Sequence, residues 1–136
     1  MKGMCEMEDE IKFRVGGIHT TPTFKASAPF FSLQEANVAR DKEWNTTGEK
    51  LPLTFRATEL AGEVGEACNV IKKLERERLG IVGSRDTVEH LAEELADVVI
   101  CAYLVAMDTG IDLDKEVAKK FNATSAKNGF KTRMRE

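Results

Sequence analysis

Two stretches decide the fold: residues 53–74, LTFRATELAGEVGEACNVIKKL, and residues 88–105, VEHLAEELADVVICAYLV. In the first, Leu53, Ala57, Leu60, Val64, Ala67, Ile71 and Leu74 recur at intervals of 4-3-4-3-4-3. In the second, Val88, Leu91, Leu95, Val98, Ala102 and Val105 recur at 3-4-3-4-3. Apolar residues at this period form one stripe along an α-helix. The connection, residues 80–85, is short, and short connections join antiparallel neighbours. The spacing therefore predicts a helical hairpin packed along its two stripes.

Start and stop signals place further helices on either side. Ser32 and Glu35 form a capping box, the hydroxyl and the carboxylate each satisfying a free backbone N–H. That helix is expected to fade near Trp44, before Thr46-Thr47-Gly48. Pro52 precedes the second helix, which runs to about Leu79 and stops at Gly80. Asp86 and Glu89 read as another capping box, opening a helix that reaches Thr109 and stops at Gly110. Asp112 caps a fourth, ended by Gly129. Residues 1–30 differ: Ile11, Phe13 and Val15 alternate with Lys12 and Arg14, and Pro22 interrupts a second extended stretch. A small β-hairpin and a flexible arm both fit that pattern. The expected architecture is all-α, a four-helix bundle over residues 31–136 with a central antiparallel hairpin and a short non-helical N-terminal arm.

Composition narrows the function classes. A chain of 136 residues with 42% hydrophobic and 32% charged residues suits one globular domain. The net charge of −3 lacks the basic excess expected for binding a nucleic acid polymer. The three cysteines, Cys5, Cys68 and Cys101, are odd in number and have no CxxC spacing. That argues against a disulfide framework or a cysteine zinc site and suits a reducing cytoplasm. The acidic N-terminus has no apolar signal region, and no run approaches the ~18 apolar residues of a membrane span.

The chemistry concentrates in two acid pairs, Glu63-Val-Gly-Glu66 and Glu94-Leu-Ala-Asp97. Residues three apart share a helix face. Each of these acids immediately precedes a stripe residue, so all four are expected on the same flank of an antiparallel hairpin and at matching heights. No Lys or Arg lies three or four positions from any of them, unlike Glu75 and Glu77, which have Lys72 and Lys73 in reach. A single pair of this kind is commonly a solvated face; two matched pairs without basic partners point to a hard divalent cation. Oxygen-only donors suit Mg²⁺ or Mn²⁺, which in turn suits a phosphate ester or anhydride substrate. Glu59 extends this site or pairs with Arg56. His90 lies one turn before Glu94, but neither histidine has the Glu-x-x-His spacing of a di-iron bundle. Cys68 and Cys101 read as small core residues. Trp44 can stack on a base or fill the core, and Lys72 and Lys73 can meet phosphates or water.

EVGEACNVIKK (63–73) followed by EELADVVICAYLVA (93–106) resembles the ExxE…ExxD signature of the MazG-like all-α nucleoside triphosphate pyrophosphohydrolases. RDKEW (40–44) and DLDKEVAKKF (112–121) are similar to that family as well. The resemblance implies a house-cleaning hydrolase: Mg²⁺-dependent cleavage of a (d)NTP or modified NTP to a monophosphate and pyrophosphate. It implies metal binding by Glu63, Glu66, Glu94 and Asp97, with Glu63 or Glu66 activating water. It also implies that Lys120 lies near the phosphates and that the chain forms a homo-oligomer, dimer or tetramer; Trp44, Lys73 and Lys127 complete the expected substrate contacts. Where relatives carry Asn and Arg late in the last helix, this chain has Thr124 and Lys127. The alternatives are a phosphoribosyl-ATP pyrophosphohydrolase and a non-catalytic, nucleotide-binding helical oligomer.

Overall fold

A computed structural model of the chain describes residues 32–135. The expected arm, residues 1–30, lies outside the described residues. Four helices follow in order: α1 (Leu33–Trp44), α2 (Leu53–Arg78), α3 (Val88–Thr109) and α4 (Leu113–Lys127). The architecture is all-α, as the periodicity requires.

The boundaries follow local chemistry. Ser32 caps α1 with the full reciprocal box, Glu35 N–H donating to its hydroxyl and its own N–H to the Glu35 carboxylate. Asp112 caps α4 by accepting from Lys115 N–H. The start of α3 differs from expectation. Thr87, not Asp86, is the N-cap, accepting from the His90 N–H at 3.1 Å. The Asp86 carboxylate is instead drawn to Lys73 and His90, stronger partners than a helix N–H. Gly110 ends α3 at φ 71°, a left-handed turn that lets the Ile111 N–H reach back to the Ala106 carbonyl at 3.0 Å.

Helices α2 and α3 form an antiparallel hairpin. Arg56 near the start of α2 pairs with Asp108 near the end of α3, while Lys73 near the end of α2 pairs with Asp86 just before α3. Helix α1 lies along α3, with the Asn37 amide donating to the Ile100 carbonyl at 3.2 Å. Helix α4 is tied to α3 by a hydrogen bond from the Tyr103 hydroxyl to Asp114, which pushes that phenol up to about 12.

The rotation of the hairpin departs from the expected stripes. Leu60, Ala67 and Leu74 on α2, and Leu91, Val98 and Val105 on α3, are buried or half-buried as expected. The second row on each helix is shifted back by one residue. Arg56, Glu63 and Val70 turn inward on α2 where Ala57, Val64 and Ile71 were expected; Glu94 and Cys101 do so on α3, while Leu95 stays exposed. The ion pairs account for this: Arg56, Glu63, Val70 and Lys73 share one face of α2, and the bonds of Arg56 to Asp41 and Asp108 turn that face toward the bundle. Leu53, Val64, Ile71, Val88, Leu95 and Val99 are left exposed. Among the described residues the buried apolar side chains are Ala67, Val70, Cys101, Ala106 and Ala118, a core made mostly of small residues.

Candidate active site

Three of the four acids come together across the hairpin. Carboxylate oxygens of Glu63, Glu66 and Glu94 lie within 4.8 Å of one another. Glu94 is buried, Glu63 half-buried and Glu66 exposed, so the nest runs from the α2–α3 seam out to its edge. Asp97 is exposed and lies outside this closest group, yet it is the strongest of the neighbouring charges acting on Glu63. Partial burial first, then the charges of Asp97, Glu66, Glu94 and Glu59, hold the Glu63 carboxyl above its ordinary value.

An oxygen-only cluster of this size fits a hard divalent cation. Oxygens on opposite sides of Mg²⁺, each about 2.1 Å from it, are roughly 4.2 Å apart. Adjacent oxygens on such an ion are about 3.0 Å apart, so the three carboxylates, within 4.8 Å of one another here, would draw inward to share one cation.

Beside the nest lies a cavity of about 430 Å³. Glu63 belongs to both, and Asp97 and Glu59 also line the cavity. Trp44, Phe55 and Leu104 supply apolar walls, and Asn45 and Arg40 supply polar groups. Trp44 is 81% exposed, so it is a wall open to solvent and not a core residue. Cys101 is buried at the same cavity; burial, with the charges of Glu63, Glu59 and Asp97 adding, pushes its thiol up and keeps it protonated. Cys68, expected in the core, is exposed.

Two ion-pair networks frame the site. At one end Arg56, with its side chain 4% exposed, donates to Asp41, Asp108 and Glu59. Burial opposes its charge, but the bonds to Asp41 and Asp108 outweigh burial and hold the guanidinium above its ordinary value. Glu59 thus pairs with Arg56 and lines the cavity, and it lies outside the closest acid group. At the other end Lys73 Nζ is 2.8 Å from Asp86, His90 Nδ1 is 2.7 Å from Asp86, and His90 Nε2 is 2.7 Å from Glu94. The hydrogen bonds of Lys73 and His90 hold the Asp86 carboxyl well below the usual carboxylate range. Glu94 therefore has a basic partner after all, not a Lys or Arg but a histidine one turn away. Glu75 likewise pairs with Arg78 and not with Lys72.

The residues expected to meet substrate are only partly assembled. Trp44 faces the cavity, whereas Lys73 is held by Asp86. Lys120 lies on a separate shallow concavity of α4 beside Val117 and Phe121, and Lys127 is exposed in the last turn of that helix.

Compared with known families, with curated proteins and with solved structures, the chain gives no match. Its site is therefore read from its own residues. Among the described residues no helix is long and apolar enough to cross a membrane.

Proposed function

We propose that this chain is a divalent-cation-dependent nucleoside triphosphate pyrophosphohydrolase of the MazG-like kind, cleaving substrate to a nucleoside monophosphate and pyrophosphate. The observation that carries the reading is the carboxylate nest of Glu63, Glu66 and Glu94, opening through Glu63 into a cavity walled by Trp44 and Phe55. One end suits a cation and the phosphates it accompanies; the other suits a flat, partly apolar base. The resemblance of residues 63–73 and 93–106 to the ExxE…ExxD signature supports the same reading.

In this reading Glu63, Glu66 and Glu94 hold Mg²⁺ or Mn²⁺, with Asp97 beside them. When bound, the cation supplies charge neutralisation on the phosphate oxygens. Glu63 is the residue placed to take the proton from the attacking water, because it alone joins the closest acid group to the cavity. Trp44 offers a face for stacking the base. Lys73, Lys120 and Lys127 are outside this arrangement within one chain. The exposed apolar residues of α2 and α3 support assembly as a homo-oligomer, since a core of small side chains leaves a domain this size short of buried surface.

The test is a panel of canonical and modified NTPs and dNTPs, with phosphoribosyl-ATP included, incubated with Mg²⁺ and assayed for pyrophosphate. The reading predicts pyrophosphate and a monophosphate from at least one triphosphate. Orthophosphate and a diphosphate would place the cut at the wrong bond.

A further inference from the structure

The feature left unused by this reading is the chain of side chains behind Glu94. Lys73 comes from α2, Asp86 from the loop between the hairpin helices, and His90 and Glu94 from successive turns of α3. Each link is short: 2.8 Å from Lys73 Nζ to Asp86 Oδ2, 2.7 Å from Asp86 Oδ1 to His90 Nδ1, and 2.7 Å from His90 Nε2 to Glu94 Oε1. Asp86 and Glu94 have side chains only 9% exposed, so the chain runs from a half-buried lysine to a buried carboxylate.

We propose that His90, anchored through Asp86 to Lys73, is a positioning residue that fixes the orientation of Glu94 as a cation ligand. The inference rests on the metal reading of the acid nest. Each ring nitrogen lies within hydrogen-bond reach of a carboxylate oxygen, Nδ1 of Asp86 and Nε2 of Glu94, so the ring bridges the two acids; a ring that donates to both is an imidazolium. With one Glu94 oxygen held by this ring, rotation of the carboxylate is restricted and its remaining lone pairs stay available to the nest. Outer hydrogen bonds of this kind orient ligating side chains, and losing one typically costs about 10- to 100-fold in metal affinity.

The opposing idea is that His90 merely offsets negative charge. The two differ in sign. A ring that only supplies positive charge competes with a cation, so its removal should tighten metal binding. A ring that positions Glu94 should weaken binding when removed, and a neutral donor at the same place should restore it.

The experiment measures Mn²⁺ binding to the full chain by the loss of the free-ion electron paramagnetic resonance signal. Wild type, His90→Ala and His90→Gln are compared, with helicity checked by circular dichroism. Gln reaches the Nε2 position with an amide N–H but carries no charge. The expected result is about tenfold or greater weakening in His90→Ala and recovery of most of the affinity in His90→Gln. Should His90→Ala lose helicity, Asp86→Asn, which removes the anchoring charge and leaves the ring in place, is expected to weaken Mn²⁺ binding in the same direction. Equal or tighter binding by His90→Ala, or by Asp86→Asn if that variant decides, overturns the positioning role, as does failure of Gln to restore affinity. If wild type takes up no Mn²⁺, the metal reading itself is overturned, and this inference with it.

Discussion

Glu63 joins the acid nest to the cavity, and its position carries a stability cost that pH can reveal. Partial burial and the neighbouring acids raise its pKa, so without metal the native state binds more protons than the unfolded chain. The contribution of this residue to stability is therefore lost as pH rises from the ordinary glutamate range through the raised native value. Urea titrations of the metal-free protein across that window are expected to show Glu63→Gln gaining stability relative to wild type as pH increases. Arg56 presents the opposite case. Its buried charge is held by Asp41 and Asp108, whose side chains are 25% and 12% exposed. Arg56→Met would leave both acids unpaired, and the expected destabilisation is about 3–5 kcal/mol by urea denaturation. A loss under 1 kcal/mol would mean that water replaces the guanidinium readily.

At the scale of the helices, termini were more legible than rotation. Ser32, Pro52, Gly110, Asp112 and Gly129 mark helix ends by chemistry confined to a few neighbouring residues, and each lies where the sequence implies. The start of α3 differs from the sequence reading because Asp86 and Thr87 are both competent caps, and the pull of Lys73 from α2 and of His90 one turn on draws Asp86 away. Thr87→Ala is accordingly expected to cost about 1 kcal/mol in thermal or urea unfolding, with Glu89→Ala close to neutral. The facing of the hairpin was half legible. The row Leu60, Ala67, Leu74 is inward under either rotation, but apolar residues lie on both sides of it, so periodicity alone cannot choose. Ion pairs between residues 52 positions apart, Arg56 and Asp108, make the choice. Three of the four acids, Glu63, Glu66 and Glu94, were legible as a cluster because an antiparallel hairpin brings the two pairs to one height, while Asp97 stays outside the closest group. The cavity was not, since it requires α1 to meet the hairpin.

For the whole molecule, the proposed reading has the exposed apolar surface of α2 and α3 covered by a second copy of the chain. Sedimentation of wild type is expected to give a dimer or larger species. Ile71→Lys combined with Val99→Lys, two exposed positions away from the acids, should shift the protein toward monomer with its helicity retained. A fully active wild-type monomer at low concentration would remove the need for assembly. The central claim is that the acid nest is a cation site and not a solvated acidic face, and thermal unfolding with and without Mg²⁺ tests it most directly, on wild type and on Glu63→Gln/Glu66→Gln. At a hundredfold excess over its dissociation constant, Mg²⁺ bound only by the native state contributes about 2.7 kcal/mol. For a domain of this size that is on the order of 10 °C. The account predicts that shift in wild type, none in the double variant, and a metal-free double variant at least as stable as metal-free wild type. A double variant that melts well below metal-free wild type, or that keeps the Mg²⁺ shift, would contradict it.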